Sequence, residues 1–242
     1  MKRHFAWLVL LSMLALALAA GLGLAAARVA GREVTLGSYG TSLRARTRGQ
    51  AHNALRAARS LDGLLLRPGE TLSFNKRVGP WNAEAGYRKA PASFDGELIR
   101  SYGGGVCQTS TTLYNAALIA GLDVVERHRH IRPPAYVAPG RDAAVAMPSI
   151  DLRIRNPYSY PVRLEARGVG ESVVIAFRGR GPRRPVQLCT EVETVAPPPT
   201  IRGAGRRSGG QPGFTALTYR RAGQQATLSS HLSYPPVGSL AP

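Results

Sequence analysis

Among the 242 residues of this chain, Cys107 is the side chain best placed to act as a nucleophile. It follows Gly103, Gly104, Gly105 and Val106, and it precedes Gln108 and the hydroxyl run Thr109 to Thr112. Three consecutive glycines cannot be helix interior. From Cys107 to Ala120 the composition is helical, with Leu113, Ala116, Ala117 and Ala120 as an apolar stripe and Gly121 as the stop. Cys107 therefore falls in the first turn of a helix, where unpaired N–H groups and aligned peptide dipoles favour a thiolate. Glycines without side chains let a substrate approach the backbone. N–H groups beside Cys107 and Gln108 could stabilise an oxyanion there. A nucleophile needs a base and a group that orients the base. His130, in ERHRH (126–130), and Asp142, in PGRDA (139–143), supply those types downstream. We read Cys107 as nucleophile, His130 as base and Asp142 as orienter.

Two blander readings of Cys107 stay open. An exported protein with two cysteines invites a disulfide between Cys107 and Cys189. An inert, buried cysteine packed on glycines is the other. A cysteine at a helix start followed by His and then Asp is the chain order of papain-like and transglutaminase-like thiol enzymes, a likeness of arrangement only. His128 and His130 have no carboxylate or cysteine at ligand spacing, so neither a metal nor a cofactor is expected.

The amino terminus sets the expected compartment. Lys2 and Arg3 precede an uncharged run from Phe5 to Ala27. About 20 apolar residues suffice to span a bilayer, and flanking basic residues keep that end cytoplasmic. An uncleaved membrane anchor with an extracytoplasmic domain is the leading reading. A secreted domain, released after cleavage near Ala25-Ala26-Ala27, is the alternative. The net charge is +18, and setting aside Lys2, Arg3 and Arg28 leaves +15 on residues 31–242. Such a domain attracts anionic envelope polymers. Nucleic acid is not an expected partner, because the arginines are scattered and no aromatic stacking motif interleaves with them.

Hydropathy patterning predicts a strand over 33–42, a helix over 50–61, a buried strand at 64–66 and another at 71–75. After the cysteine helix, 122–125, 135–137, 143–147 and 150–154 read as short strands. A hairpin follows over 162–167 and 173–178. The Pro- and Gly-rich stretch 179–213 reads as a linker, and 214–219 with 226–232 as a last hairpin. The expected fold class is α+β. It comprises a small antiparallel sheet with a central Cys-bearing helix, preceded by a transmembrane helix, with that papain- or transglutaminase-like arrangement as one option. Residues 1–30 form the anchor or signal, 31–180 the main domain, and 181–242 the linker and terminal hairpin.

Several stretches together resemble one known family. They are RPGETLSFNKRVGPW (67–81), AGYRKAP (85–91), GGGVCQTSTTLYNAAL (103–118), ERHRH (126–130), YVAPGRDAAV (136–145) and DLRIRNPYSYPVRL (151–164). This pattern is similar to the VanW family, named for an accessory protein of B-type vancomycin-resistance clusters. LSSHLSYPP (228–236) also resembles the family's carboxyl-terminal stretch. The resemblance implies membrane attachment and association with the cell envelope, without a reaction. Its characteristic positions fall on Asn75, Gly103, Gly104, Gly105, Cys107 and Gln108. They continue through Tyr114, Asn115, His130, Asp142, Asp151 and Asn156. Two functions follow as expectations: a thiol-dependent acyl-transfer enzyme or hydrolase on cell-wall peptides, or a non-catalytic module binding anionic envelope groups at the glycine turn.

Overall fold

The computed structural model of the protein describes residues 33–94, 97–181, 185–197, 202–203, 206–207 and 212–236. Strand β1 (Val34–Ser42) opens it, followed by helix α1 (Arg48–Leu61). Thr47 caps α1 reciprocally: its Oγ1 accepts from the Gln50 N–H, and the Gln50 side-chain oxygen accepts from the Thr47 N–H at 3.1 Å. Ala54, Ala57, Ala58 and Leu61 form the buried face of α1.

Short strands β2 (Leu65–Leu66) and β3 (Thr71–Ser73) lead into a five-residue helix α2 (Phe74–Val78). The hairpin β4 (Ala90–Phe94) and β5 (Glu97–Ser101) precedes helix α3 (Val106–Ala120), which carries Cys107. Strands β6 (Asp123–Glu126) and β7 (Arg153–Arg155) flank a long irregular segment. β8 (Val162–Val169) and β9 (Ser172–Gly179) form the next hairpin. Beyond it lie β10 (Val186–Ala196), the two-residue strands β11 (Arg202–Gly203) and β12 (Arg206–Arg207), β13 (Gly213–Ala222) and β14 (Gln225–Tyr234).

All pairing is antiparallel. The sheets run β1-β9-β8-β2, β3-β7-β6 and β10-β13-β14, with the hairpins β4-β5 and β11-β12 apart. Alternation in β8 and β9 sends Val162, Leu164, Ala166, Val173, Ile175 and Phe177 into the core. There they meet Leu61 of α1 and Leu113 of α3. Only Gly at position 37 lets β1 cross α3 at this depth, because a Cβ there would collide with the Ala120 backbone.

The architecture corrects the expected fold class. The chain is mostly β, and α1, α2 and α3 are its only helices among the described residues. Instead of one small sheet arranged about a helix, five antiparallel sheets share the molecule. The papain- or transglutaminase-like arrangement falls with that fold class. Two features account for the error. Prolines and glycines drew 179–213 toward a linker, yet β-branched Val186, Thr190, Val192 and Thr194 support an 11-residue strand paired with β13. The hairpin β4-β5 went unrecognised because Pro91 breaks its pattern at an edge. Conversely, 135–137 and 143–147 form turns and isolated bridges rather than strands. The anticipated membrane helix over Phe5–Ala27 lies outside the described residues. Among those described, no helix is long and apolar enough to cross a membrane.

Candidate functional site

The turn before α3 is what aims Cys107. Gly105 caps the helix with φ +103°, in the left-handed region that other residues rarely adopt. The Val106 N–H donates to Gly103 O at 3.0 Å and the Gln108 N–H to Gly105 O at 3.2 Å. Cys107 is thereby set in the first turn, half-buried, on the wall of a cavity of about 570 Å³. Its Sγ lies 3.4 Å from the carbonyl oxygen of Val145.

His130 lines the same cavity, near enough for its imidazole to bear on the ionisation of the Cys107 thiol. Its Nδ1 sits 2.7 Å from Asp142 Oδ2, and its backbone N–H donates to the same oxygen at 2.6 Å. With Nδ1 engaged, Nε2 is the ring nitrogen left for the thiol. Asp142 is fully buried. Its Oδ1 accepts from the Tyr234 hydroxyl at 2.6 Å and from Arg127 Nη2 at 3.4 Å. Arg127 also donates through Nε to the Asp142 carbonyl at 2.6 Å and through Nη2 to Gly140 O at 3.0 Å.

Burial opposes charge on all three groups, and their mutual contacts overcome it. Burial works against the Cys107 thiolate, but hydrogen bonding and positive charge from His130 bring the thiol below its usual value. Burial also works against imidazolium, but Asp142 and Cys107 lift His130 to about 10. For Asp142 the hydrogen bonds from His130 and Tyr234 outweigh burial and hold the carboxyl below its ordinary range. The arrangement therefore favours a thiolate beside an imidazolium that is braced by a carboxylate. This is the constellation that nucleophilic thiol catalysis needs. Both cysteines are unpaired; Cys189 sits on β10 opposite Tyr219.

The other expected positions serve mainly as framework. Gln108 lines the cavity, but its side-chain amide donates to Thr41 Oγ1 at 3.1 Å and Ser42 O at 2.8 Å, tying α3 to β1. With its backbone N–H also engaged, Gln108 offers no donor that is uncommitted to the protein. Gly103 faces the cavity, yet Gly104 is pressed on Ala90 O and Pro91 O, and Gly105 on the Gln50 backbone. Those two glycines exist for close packing. Asn115 donates to Thr111 O and Arg141 O, both at 2.8 Å, and so fixes the loop leading to Asp142. Tyr114 is buried with the Arg127 guanidinium 5.0 Å from its ring centre. Asp151 caps α2 by accepting from the Asn75 N–H at 2.9 Å, while Asn75 Nδ2 donates to Ile150 O at 3.0 Å. Asn156 bridges Leu66 O and Tyr160 O at 3.0 and 2.9 Å.

Sequence reasoning did not nominate Tyr234 or Arg127, although both reach Asp142. The hints were that Tyr234 lies within LSSHLSYPP and Arg127 within ERHRH. Trp81, Tyr136, Arg46 and Arg132 on the cavity wall were also passed over. Among the described residues no group of three or more His, Cys, Asp or Glu is placed to hold a metal ion.

The profile described as VanW like protein matches residues 49–178, more than half of the chain and the whole of the Cys107–His130–Asp142 arrangement. The chain belongs to the VanW family. It is 41 % identical over 142 residues to the uncharacterized protein YoaR of Bacillus subtilis, covering 59 % of this chain and 47 % of that one. It is 34 % identical over 105 residues to the vancomycin B-type resistance protein VanW of Enterococcus faecalis, covering 41 % of this chain and 38 % of that one. The alignments thus span less than half the length of each of these relatives. No solved structure matches the fold. Of the residues named at the site, Arg46 on the cavity wall lies before the part matched by the VanW profile and Tyr234 lies after it.

Proposed function

We propose that this VanW-family protein is an extracytoplasmic thiol enzyme that transfers or hydrolyses acyl groups of cell-wall peptides. The observation that carries the reading is the buried Asp142 bracing the His130 imidazole on the wall of the same cavity that Cys107 lines, a cavity large enough for a peptide segment. Delivery across the membrane is supported by the apolar run Phe5–Ala27 behind Lys2 and Arg3. A relative named for vancomycin resistance agrees with an envelope setting.

In the first half-reaction the Cys107 thiolate attacks the acyl carbonyl carbon, forming a C–S bond. The scissile C–N bond then breaks, and the leaving amine takes the proton of the His130 imidazolium. In the second half-reaction neutral His130 takes a proton from water, or from an acceptor amine. The resulting nucleophile displaces Cys107 and restores thiolate and imidazolium. Asp142 keeps the imidazole in one tautomer throughout. The alternative, a non-catalytic cradle for anionic groups, depended on an open glycine turn, and Gly104 and Gly105 are filled by protein backbone.

The test is alkylation by iodoacetamide near neutral pH, paired with turnover of wall peptides. Cys107 should react faster than an unperturbed peptide thiol, and Cys107→Ala should abolish turnover while leaving the fold intact. Ordinary thiol reactivity, or full turnover by Cys107→Ala, refutes the enzyme reading.

A further inference from the structure

The hydroxyl of Tyr234 comes from the last strand, well after the cysteine helix and the histidine. It donates to Asp142 Oδ1 at 2.6 Å and accepts from the Gly140 N–H at 3.0 Å. Tyr234 is almost fully buried, and its ring stacks on Phe214 of β13 with centroids 4.8 Å apart. Two other residues of the same sheet reach the same loop: Thr218 and Ser230 donate to Gly140 O at 3.4 and 3.1 Å. The terminal sheet therefore grips the Gly140–Asp142 turn from both its N–H and its C=O side. None of these residues falls within the segment matched by the family profile.

We infer that Tyr234 is a positioning residue for the thiol chemistry, and that the sheet β10-β13-β14 is part of the catalytic unit rather than an appendage. The inference rests on the proposed thiol-enzyme reading. Physically, a carboxylate with one oxygen on His130 keeps its plane only if the other oxygen is also held. Arg127 at 3.4 Å is too long to do so alone. The Tyr234 hydroxyl makes the short, charge-assisted contact that fixes Oδ1, and Oδ2 is thereby fixed against Nδ1. Outer groups that orient a reacting imidazole are generally costly to remove.

The groups that bear on this network are few. His130 and Arg127 contact Asp142 directly, and Arg129 lies 5.3 Å from the Tyr234 ring centre. Tyr114 sits beside Arg127, while Tyr136 and, through it, Arg46 face Cys107. None of the others makes a short hydrogen bond to Oδ1.

The experiment is the pH profile of Cys107 alkylation by iodoacetamide, on the full chain in a Cys189→Ser background, with folding followed by circular dichroism. Tyr234→Phe should move the acidic limb to higher pH and lower the rate on that limb about tenfold, equivalent to about one pH unit. Ser230→Ala, which removes one contact to Gly140 from the exposed side, should move it the same way by less. Val162→Ala, in the core of the β1-β9-β8-β2 sheet, should lower the melting temperature without moving the limb. Should Tyr234→Phe fail to fold, Ser230→Ala combined with Thr218→Val decides. Profiles that superimpose on wild type in the folded variants overturn the positioning role. A wild-type thiol that already behaves as an ordinary one overturns the enzyme reading beneath it, which is a separate outcome.

Discussion

At the scale of single residues, the proposed chemistry depends on one buried carboxylate with four donors. Asp142 binds the His130 N–H, the His130 ring, Tyr234 and Arg127. A carboxylate so satisfied stays ionised and stabilises the fold only while it is charged. Its folded pKa is depressed, so its contribution is present above the unfolded value of 3.8 and is lost as the pH falls through the folded value. His130 behaves oppositely. Its pKa is raised from 6.5 to about 10, so its contribution is complete below 6.5 and disappears as the pH climbs through about 10. Melting temperatures should therefore fall on both the acid side and the strongly alkaline side. Asp142→Asn should flatten both limbs, and unchanged limbs would show that the pair carries no linkage. Cys107, His130 and Asp142 could be nominated from the sequence as a candidate triad because their types and chain order suffice to suggest one. Tyr234 was not readable, because nothing local marks a tyrosine as the partner of a residue 92 positions away.

At the scale of elements, the cysteine helix depends on its first turn. Gly105 combines a left-handed φ with contact to the Gln50 backbone, so Gly105→Ala meets both backbone strain and a collision. The strain alone costs about 1–2 kcal/mol. The variant should melt lower and alkylate more slowly, since the turn that aims Sγ must open. A variant with wild-type melting and reactivity would contradict this account of the turn. The helices over 48–61 and 106–120 were legible from spacing and glycine stops. The hairpin Val162–Gly179 was legible from alternation. Short strands at 135–137 and 143–147 were misread. Those residues form turns and isolated bridges held by tertiary hydrogen bonds, such as Ala143 N–H to Thr111 Oγ1 at 2.9 Å, which no local pattern encodes.

At the scale of the whole molecule, the expectation of one small sheet beside a helix failed because strand pairing is non-local. β1 pairs with β9, and β10 pairs with β13 across a stretch rich in proline and glycine. The consequence is functional, since residues before, within and after the family-matched segment meet around one cavity and one carboxylate. Truncation after Gly181 removes Thr218, Ser230 and Tyr234 together. It should abolish enhanced alkylation of Cys107 while the β1-β9-β8-β2 sheet retains its strand content by circular dichroism. A truncated chain with undiminished Cys107 reactivity would assign the terminal sheet to some other task.

The most direct measurement of the central claim is the ultraviolet titration of the Cys107 thiolate in a Cys189→Ser background, with and without His130→Gln. Wild-type Cys107 should ionise below the usual value of 9.0, and His130→Gln should return it to that value or higher. A wild-type titration at or above 9.0, unmoved by loss of the imidazole, would contradict the thiolate–imidazolium pair on which the proposed chemistry stands.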